Sequence, residues 1–216
     1  MRTAIVLAAV TVALTAAPAA AKVNKADVAI QKQAVLRKTD LPAGWKSSPA
    51  QPVSPSDPSC ARLKLLTDPA TATSSPVFWK SDVVQANNSV VVLASAKQAM
   101  GWLAPYREPD AIACLEAEMK DAFAEPRFQG TRVYVTPVDD TPRGADDAVG
   151  FEVEITATTT PSAQQPAPTL VIVSDVLVVR VGRALSGFTF SNLADPLPEQ
   201  GLLIDAVIGR LQDAGI

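Results

Sequence analysis

The segment TLVIVSDVLVVRVG, residues 169–182, is apolar at almost every position. A strand with one wet face alternates polar and apolar residues, so a nearly continuous apolar run predicts a strand in the centre of a sheet. Two alternating segments precede it, TRVYVTPV (131–138) and AVGFEVEITATTT (148–160), and RALSGFTFSN (183–192) follows as a hairpin partner. Four consecutive strands with short connections predict an antiparallel sheet.

Segments with helical periodicity precede and follow these strands in the sequence. The last segment, PEQGLLIDAVIGRLQDAG (198–215), places its large apolar residues at helical spacing. Further helices are predicted at residues 24–38, 59–66, 95–105 and 109–124. Residues 77–94 are rich in β-branched and aromatic side chains and read as strand, with a hairpin turn at Asn87-Asn88 as the alternative. The sequence thus predicts one α+β domain over residues 22–216, with a single antiparallel twisted sheet of about five to six strands and helices packed on one face.

The first 21 residues, MRTAIVLAAVTVALTAAPAAA, have the pattern of a cleaved secretory signal peptide. Arg2 precedes an apolar run, and small residues stand at Ala19 and Ala21. An uncleaved membrane anchor is the alternative, but the run is shorter than the roughly 20 residues that a bilayer crossing needs. We therefore expect cleavage after Ala21 and a secreted or extracytoplasmic protein with no membrane span after cleavage.

The composition excludes several classes of function. The net charge is −3 and no basic cluster is present, so neither nucleic acid nor an anionic membrane is an expected partner. The chain has no histidine, which removes Ser-His-Asp and Cys-His nucleophilic sites and the usual zinc ligand sets. We expect no cofactor, no metal and no enzymatic activity.

The two cysteines, Cys60 and Cys114, form the only possible pair, and an oxidising compartment favours a disulfide between them. A zinc site and two free buried thiols are the weaker alternatives. Cys60 closes the stretch TDLPAGWKSSPAQPVSPSDPSC (39–60), which we interpret as a strap with Trp45 packed near the first helix at one end and the disulfide at the other. Its middle, about 46–57, and the Pro-rich segment 158–168 are expected to be flexible loops.

The sharpest polar cluster is VDDTPRGADDAVGFE, in which four acidic residues lie within nine positions: Asp139, Asp140, Asp146 and Asp147. Calcium prefers several oxygen ligands from one loop, so a cation site is the functional hypothesis. The spacing is not that of an EF-hand, and Arg143 lies between the pairs. A solvated turn in which these carboxylates bond neighbouring amides is the favoured interpretation. A hydrolase that uses two of these carboxylates is a third alternative.

Two tryptophans, Trp79 and Trp102, are candidates for lining a ligand cleft, although an aromatic residue in a strand or an amphipathic helix is more often part of the core. Residues 87–89, NNS, match the acceptor pattern for N-glycosylation, which matters only in a host that has the machinery.

Several motifs together resemble a known class of domain. They are a helix running into TDLPAGW, a Pro/Ser stretch ending in SC, SSPVFWKS before a strand, AIACLEAEM with the second cysteine, RGADDAVGFEV, and SDVLVVRVGRALSGFTFSN before a closing helix. This order resembles actinobacterial secreted sensor-like domains, such as the PknH-like extracellular domain. The resemblance implies an antiparallel α+β domain with a large cleft, a disulfide that fastens helices to the rest, and ligand sensing. The Mog1/PsbP-like fold is the neighbouring possibility.

The expected function is therefore that of an exported, non-enzymatic ligand-binding or sensor-like domain of the bacterial cell envelope. Its partner would be a small molecule, a lipid or a glycan. The alternative is a structural module that docks an envelope protein through the 158–168 loop or an exposed strand edge.

Overall fold

The structure is a computed structural model that describes residues 24–49, 72–81, 83–122, 128–159 and 169–216. Within these ranges the chain forms four helices, α1 (Lys25–Ala34), α2 (Ala96–Leu103), α3 (Asp110–Ala122) and α4 (Gln200–Asp213). The strands described are β1 (Lys46–Ser48), β2 (Ala72–Ser74), β3 (Val77–Trp79), β4 (Gln85–Val92), β5 (Phe128–Val138), β6 (Asp147–Thr159), β7 (Thr169–Val181) and β8 (Ala184–Leu193). The predicted signal peptide, the short helix at 59–66 and most of the 158–168 loop lie outside the described residues.

All eight strands belong to one sheet, in the order β1-β3-β4-β8-β7-β6-β5, with β2 also paired to β4. Every pair is antiparallel, which confirms the predicted α+β class. The predicted five to six strands are too few. The additional strands β1 and β2 are three residues long, too short for the alternation that identifies a strand in sequence.

The predicted placement of helices on one face of the sheet is wrong, because helices cover both faces. The α3 face is packed by α2 and α3, and the α4 face by α1 and α4. Strand β7 explains this arrangement: Val176 and Val178 point into the core of the α3 face, while Leu177 and Val179 point into that of the α4 face. The apolar run from which a central strand was predicted thus reflects a strand that is buried on both sides.

Strand β4 corrects the prediction for residues 77–94, which form two strands. The chain turns between β3 and β4, where the Lys80 N–H donates to the Val84 carbonyl at 3.0 Å. Asn87 and Asn88 lie inside β4 and make no turn. The Asn88 side chain accepts a hydrogen bond from the Leu36 N–H at 2.8 Å and donates to Ser186 Oγ at 3.1 Å. These bonds satisfy a polar residue in a buried strand and join it to the segment after α1.

Helix α1 ends at Ala34, four residues before the predicted end at residue 38. The Arg210 guanidinium of α4 donates to the carbonyls of Ala34 and Val35 and holds the Asp40 carboxylate with two bonds of 2.9 Å. The carbonyls at the end of α1 therefore find their partners in α4, and the two helices are fastened to each other at this place.

The stretch from residue 39 behaves in part as predicted. Trp45 is buried and belongs to the same hydrophobic cluster as Ala34 of α1, in agreement with its predicted place near the first helix. The predicted flexible loop at 46–57 begins, however, as strand β1, because Lys46 pairs with Trp79 and Ser48 with Val77. Residues 50–57 lie outside the described ranges. None of the described helices has the length and apolar character that a membrane crossing requires.

Candidate functional site

A cavity of about 380 Å³ lies on the α4 face, between the first two turns of α4 and strands β5 to β7. In the described part of the chain α4 packs against β7 and β8, and the cavity lies on the side of the helix that faces β6 and β5. The apolar lining includes Val138, Pro142, Leu177, Leu197 and Ile204. A volume of this size lies in the range of small-molecule sites, roughly 300–1,000 Å³.

Asp175 of β7 lies at the floor of this cavity and is 8% exposed. Its cross-strand neighbours are Glu152 on β6 and Phe190 on β8. Burial raises the pKa of Asp175 to about 6, and the negative charge of Glu152 acts in the same direction. Within the described part of the chain no group donates a hydrogen bond to the Asp175 carboxylate. Such a carboxylate is available to a ligand that carries a donor.

The other charged residues of the cavity lie nearer its mouth. Asp140 and Arg143 come from the connection between β5 and β6, and Asp205 comes from the second turn of α4. All three are exposed, in contrast to Asp175. The charged lining thus consists of three carboxylates and one guanidinium, so the cavity attracts positive charge.

Two glycines keep the cavity open. A Cβ at Gly150 of β6 would lie 3.1 Å from Leu177 Cδ1 and 3.4 Å from Val138 Cβ, so a larger residue would crowd the floor. A Cβ at Gly201 of α4 would meet no atom within 4 Å, although Gly201 lines the cavity. Space at the floor and at the helix wall therefore depends on the absence of two side chains.

The four predicted acidic residues are separated by the fold. Asp146 accepts from the Gly182 N–H at 2.6 Å and from Arg180, and Asp147 pairs with Arg107. Asp139 and Asp140 are exposed at the end of β5. Across the described ranges no group of three acidic or cysteine side chains could hold a metal ion. The first pair of aspartates is thus oriented toward solvent and the cavity, while the second pair is engaged by arginines.

The two predicted tryptophans do not line this cavity. Trp102 packs against the core of the α3 face, and Trp79 lies half-buried on β3 with the Lys46 ammonium 4.7 Å from the centre of its ring. Their surroundings are those of core and edge aromatics.

A row of buried polar side chains crosses the α3 face on β4, β8 and β7. Neighbouring strands contribute them by register: Asn87, Thr189, Ser191 and Ser174. Ser174 Oγ and Ser191 Oγ are 3.1 Å apart, and Ser174 Oγ donates to the Phe190 carbonyl at 3.0 Å. These contacts cross-link β7 and β8.

Cys114 lies half-buried on α3 and packs against the core of the α3 face. No free cysteine is present in the part of the chain that the structure describes. Cys60 lies outside the described residues, and the pairing of Cys60 with Cys114 stays a prediction.

Sequence reasoning missed Asp175 and the cavity around it. The signal was present as a lone acid inside an apolar run, SDVLVV, but the sequence does not tell which face Asp175 takes or where α4 begins to cover that face. In comparisons with known proteins, no family model matches the chain and no curated protein matches its sequence.

Proposed function

We propose that the protein is an exported, non-enzymatic binding domain of the bacterial cell envelope that takes a small, mainly apolar molecule into the cavity beside α4. The observation that carries the proposal is the cavity itself, with apolar walls around a buried carboxylate that has no donor among the described residues. A dry, filled interface between helix and sheet would have favoured a structural role, because it offers no room for a ligand.

The export of the domain rests on the N-terminal sequence and the cysteine pair. A sensor-like role rests on the resemblance to actinobacterial sensor-like domains such as the PknH-like extracellular domain. The absence of histidine from the chain and the pairing of Asp146 and Asp147 with arginines support a role in binding instead of catalysis.

The alternative of a protein-docking module would use an edge of the described sheet. Strand β5 is the last strand in the described sheet and carries the exposed side chains of Tyr134 and Val138. The register of β5 shifts between Gln129 and Arg132, and Pro137 removes a donor near its end. Both features oppose the addition of another strand, so we favour the cavity.

A pair of glycine substitutions on α4 tests the proposal. Gly201→Leu places a side chain in the cavity, whereas Gly209→Leu places the same side chain on the same helix away from the cavity. The wild-type protein is screened by thermal shift against fatty acids, alkylamines, isoprenoid alcohols and cell-wall glycans. We expect at least one class of apolar compound to raise the Tm of wild type and of Gly209→Leu. The same compound should leave the Tm of Gly201→Leu unchanged.

Two results would contradict this function. One is a panel in which no compound stabilises the wild-type protein. The other is a compound that stabilises Gly201→Leu as well as it stabilises Gly209→Leu, because the binding site would then lie elsewhere.

A further inference from the structure

We propose that the cavity selects molecules in which a protonated amine is attached to an apolar body, with the ammonium group on the Asp175 carboxylate. This inference rests on the proposed binding function and adds the chemical class of the ligand.

The position of Asp175 gives the first reason. A carboxylate that is 8% exposed and has no donor among the described residues has lost most of its water without gaining a protein partner. An ammonium group has three N–H donors and a positive charge, so it supplies both of the missing interactions. Asp175 thus provides the acceptor of a charge-assisted hydrogen bond, and the ligand would provide the donor.

The charges around Asp175 give the second reason. Glu152 faces it from β6, Asp205 lies on α4, and Asp140 and Arg143 lie on the β5–β6 connection, while the neighbour on β8 is the uncharged Phe190. The acidic residues outnumber the single arginine, which is exposed. An anionic head group would meet repulsion at the floor, and a cation would meet attraction at both the mouth and the floor.

The apolar walls exclude a bare metal ion and favour an organic cation. A divalent cation needs several oxygen ligands, and the described residues provide no group of three acidic side chains that could hold one. The alkyl or ring part of an organic cation would instead contact Leu177, Leu197 and Ile204. These aliphatic side chains offer no hydrogen-bonding group to a hydrated ion.

Three probes with the same chain separate the head groups: n-octylamine, octan-1-ol and octanoate. Their dissociation constants are measured by titration calorimetry for the wild-type protein and for Asp175→Asn. At about pH 7.5 we expect wild type to bind the amine about tenfold more tightly than the alcohol, and octanoate most weakly, because a bond between two charged groups is the stronger one. In Asp175→Asn most of this preference for the amine over the alcohol should be lost.

The pH dependence provides a second readout. Protonation of Asp175 removes its charge, so the preference of wild type for the amine should fall toward that of Asp175→Asn at about pH 4.5. Asp205→Asn, which removes a charge at the mouth, should lower the amine preference less than Asp175→Asn does.

The outcomes separate the ligand class from the binding function. In one outcome octan-1-ol binds wild type but not Gly201→Leu, and octylamine binds wild type no more tightly than octan-1-ol does. The cavity is then a binding site, and the proposed selection of amines is wrong. An amine preference that is as large in Asp175→Asn as in wild type, or octanoate as the tightest probe, also overturns the inference. Failure of all three probes overturns it as well, while the broader thermal-shift screen still decides the binding function.

Discussion

Asp175 makes the fold less stable whenever it is ionised. The unfolded chain exposes this carboxyl to water, where its pKa is near 3.8, whereas in the folded protein burial raises the pKa to about 6. Between these two values the folded state holds a proton that the unfolded state has lost, so the stability contribution of this group falls as pH rises. A residue that weakens the fold at neutral pH and lines a cavity fits a role in binding better than a structural role.

Asp175→Asn should remove this pH dependence. A difference of one unit between the folded-state and the unfolded-state pKa corresponds to about 1.4 kcal/mol in the free energy of unfolding. The variant should therefore be about 3 kcal/mol more stable than wild type near neutral pH. Below about pH 3 the two proteins should have similar stability, because the wild-type carboxyl is then mostly neutral in both the folded and the unfolded state. Urea unfolding at a series of pH values measures the difference, and curves that stay parallel from acid to neutral pH would contradict the raised pKa.

Two polar residues show how far a single position can be understood from sequence. The polar Asn87-Asn88 pair in a predicted strand left a turn open as the alternative, but the Asn88 side chain is satisfied by Leu36, 52 positions earlier, and by Ser186, 98 positions later. Asp175 lies in a similar apolar context and has no such partner among the described residues. Sequence marks both residues as unusual, but only the tertiary contacts distinguish a structural polar group from an available one.

At the scale of elements, helices α1 and α4 are joined mainly through Arg210. Its guanidinium bonds the Asp40 carboxylate twice and also reaches the last carbonyls of α1. Burial alone would raise the pKa of Asp40, but the bonds from Arg210 and from the Arg37 N–H outweigh it and hold that pKa below its usual value. This stabilisation is present above pH 3.8 and is lost as the pH falls through the lower folded-state pKa.

Arg210→Ala should destabilise the protein by about 3 kcal/mol at neutral pH, because it leaves Asp40 and the carbonyls of Ala34 and Val35 without their partner. Arg210→Lys should recover only part of the loss, since an ammonium cannot make the forked contact. Chemical denaturation measures both variants, with Arg132→Ala at an exposed arginine of β5 as the matched control. Equal stability of Arg210→Ala and Arg132→Ala would show that the tie contributes nothing.

Long, periodic elements were predictable and short ones were not. Helices α2, α3 and α4 and strands β5 to β8 follow from residue spacing alone, with ends that shift by a few residues. Strands β1 and β2 owe their conformation to partners elsewhere in the chain, such as Trp79 for Lys46 and Val91 for Ala72. Three residues carry too little pattern to be recognised, and the flexible composition around β1 indicated a loop.

At the scale of the whole molecule, the sheet is a central layer between two helical layers. This arrangement explains why the chain can bury nearly the whole of β7, and it leaves the cavity where the α4 layer stops short of β5 and β6. The sequence indicated the sheet, but the distribution of helices between its faces depends on which way each connection crosses, and residue periodicity does not record that direction.

The predicted disulfide would fasten the 39–60 stretch to α3 in the α3-face layer. A bond between Cys60 and Cys114 closes a loop of about 55 residues, and on the chain-entropy model its reduction should lower the stability by about 4 kcal/mol. Peptide mapping without reductant should recover the two cysteines in one linked species, and cleavage of the denatured chain after Lys80, between the two cysteines, should leave the pieces joined until reductant is added. Pieces that separate without reductant would contradict the pairing, and the Cys60→Ser, Cys114→Ser double variant is the control.

Burial of Asn87 affects the choice of expression host. Asn87 is 5% exposed in β4, where it pairs with Thr189 of β8, although its sequence matches an acceptor for N-linked glycans. An oligosaccharide added during translocation cannot be accommodated inside the α3 face, so a chain that receives one cannot complete the pairing of β4 with β8. In a eukaryotic secretory host, the fraction of chains that carry a glycan at Asn87 would therefore equal the fraction that fail to fold for this reason. Expression in a bacterial host avoids this loss of folded protein.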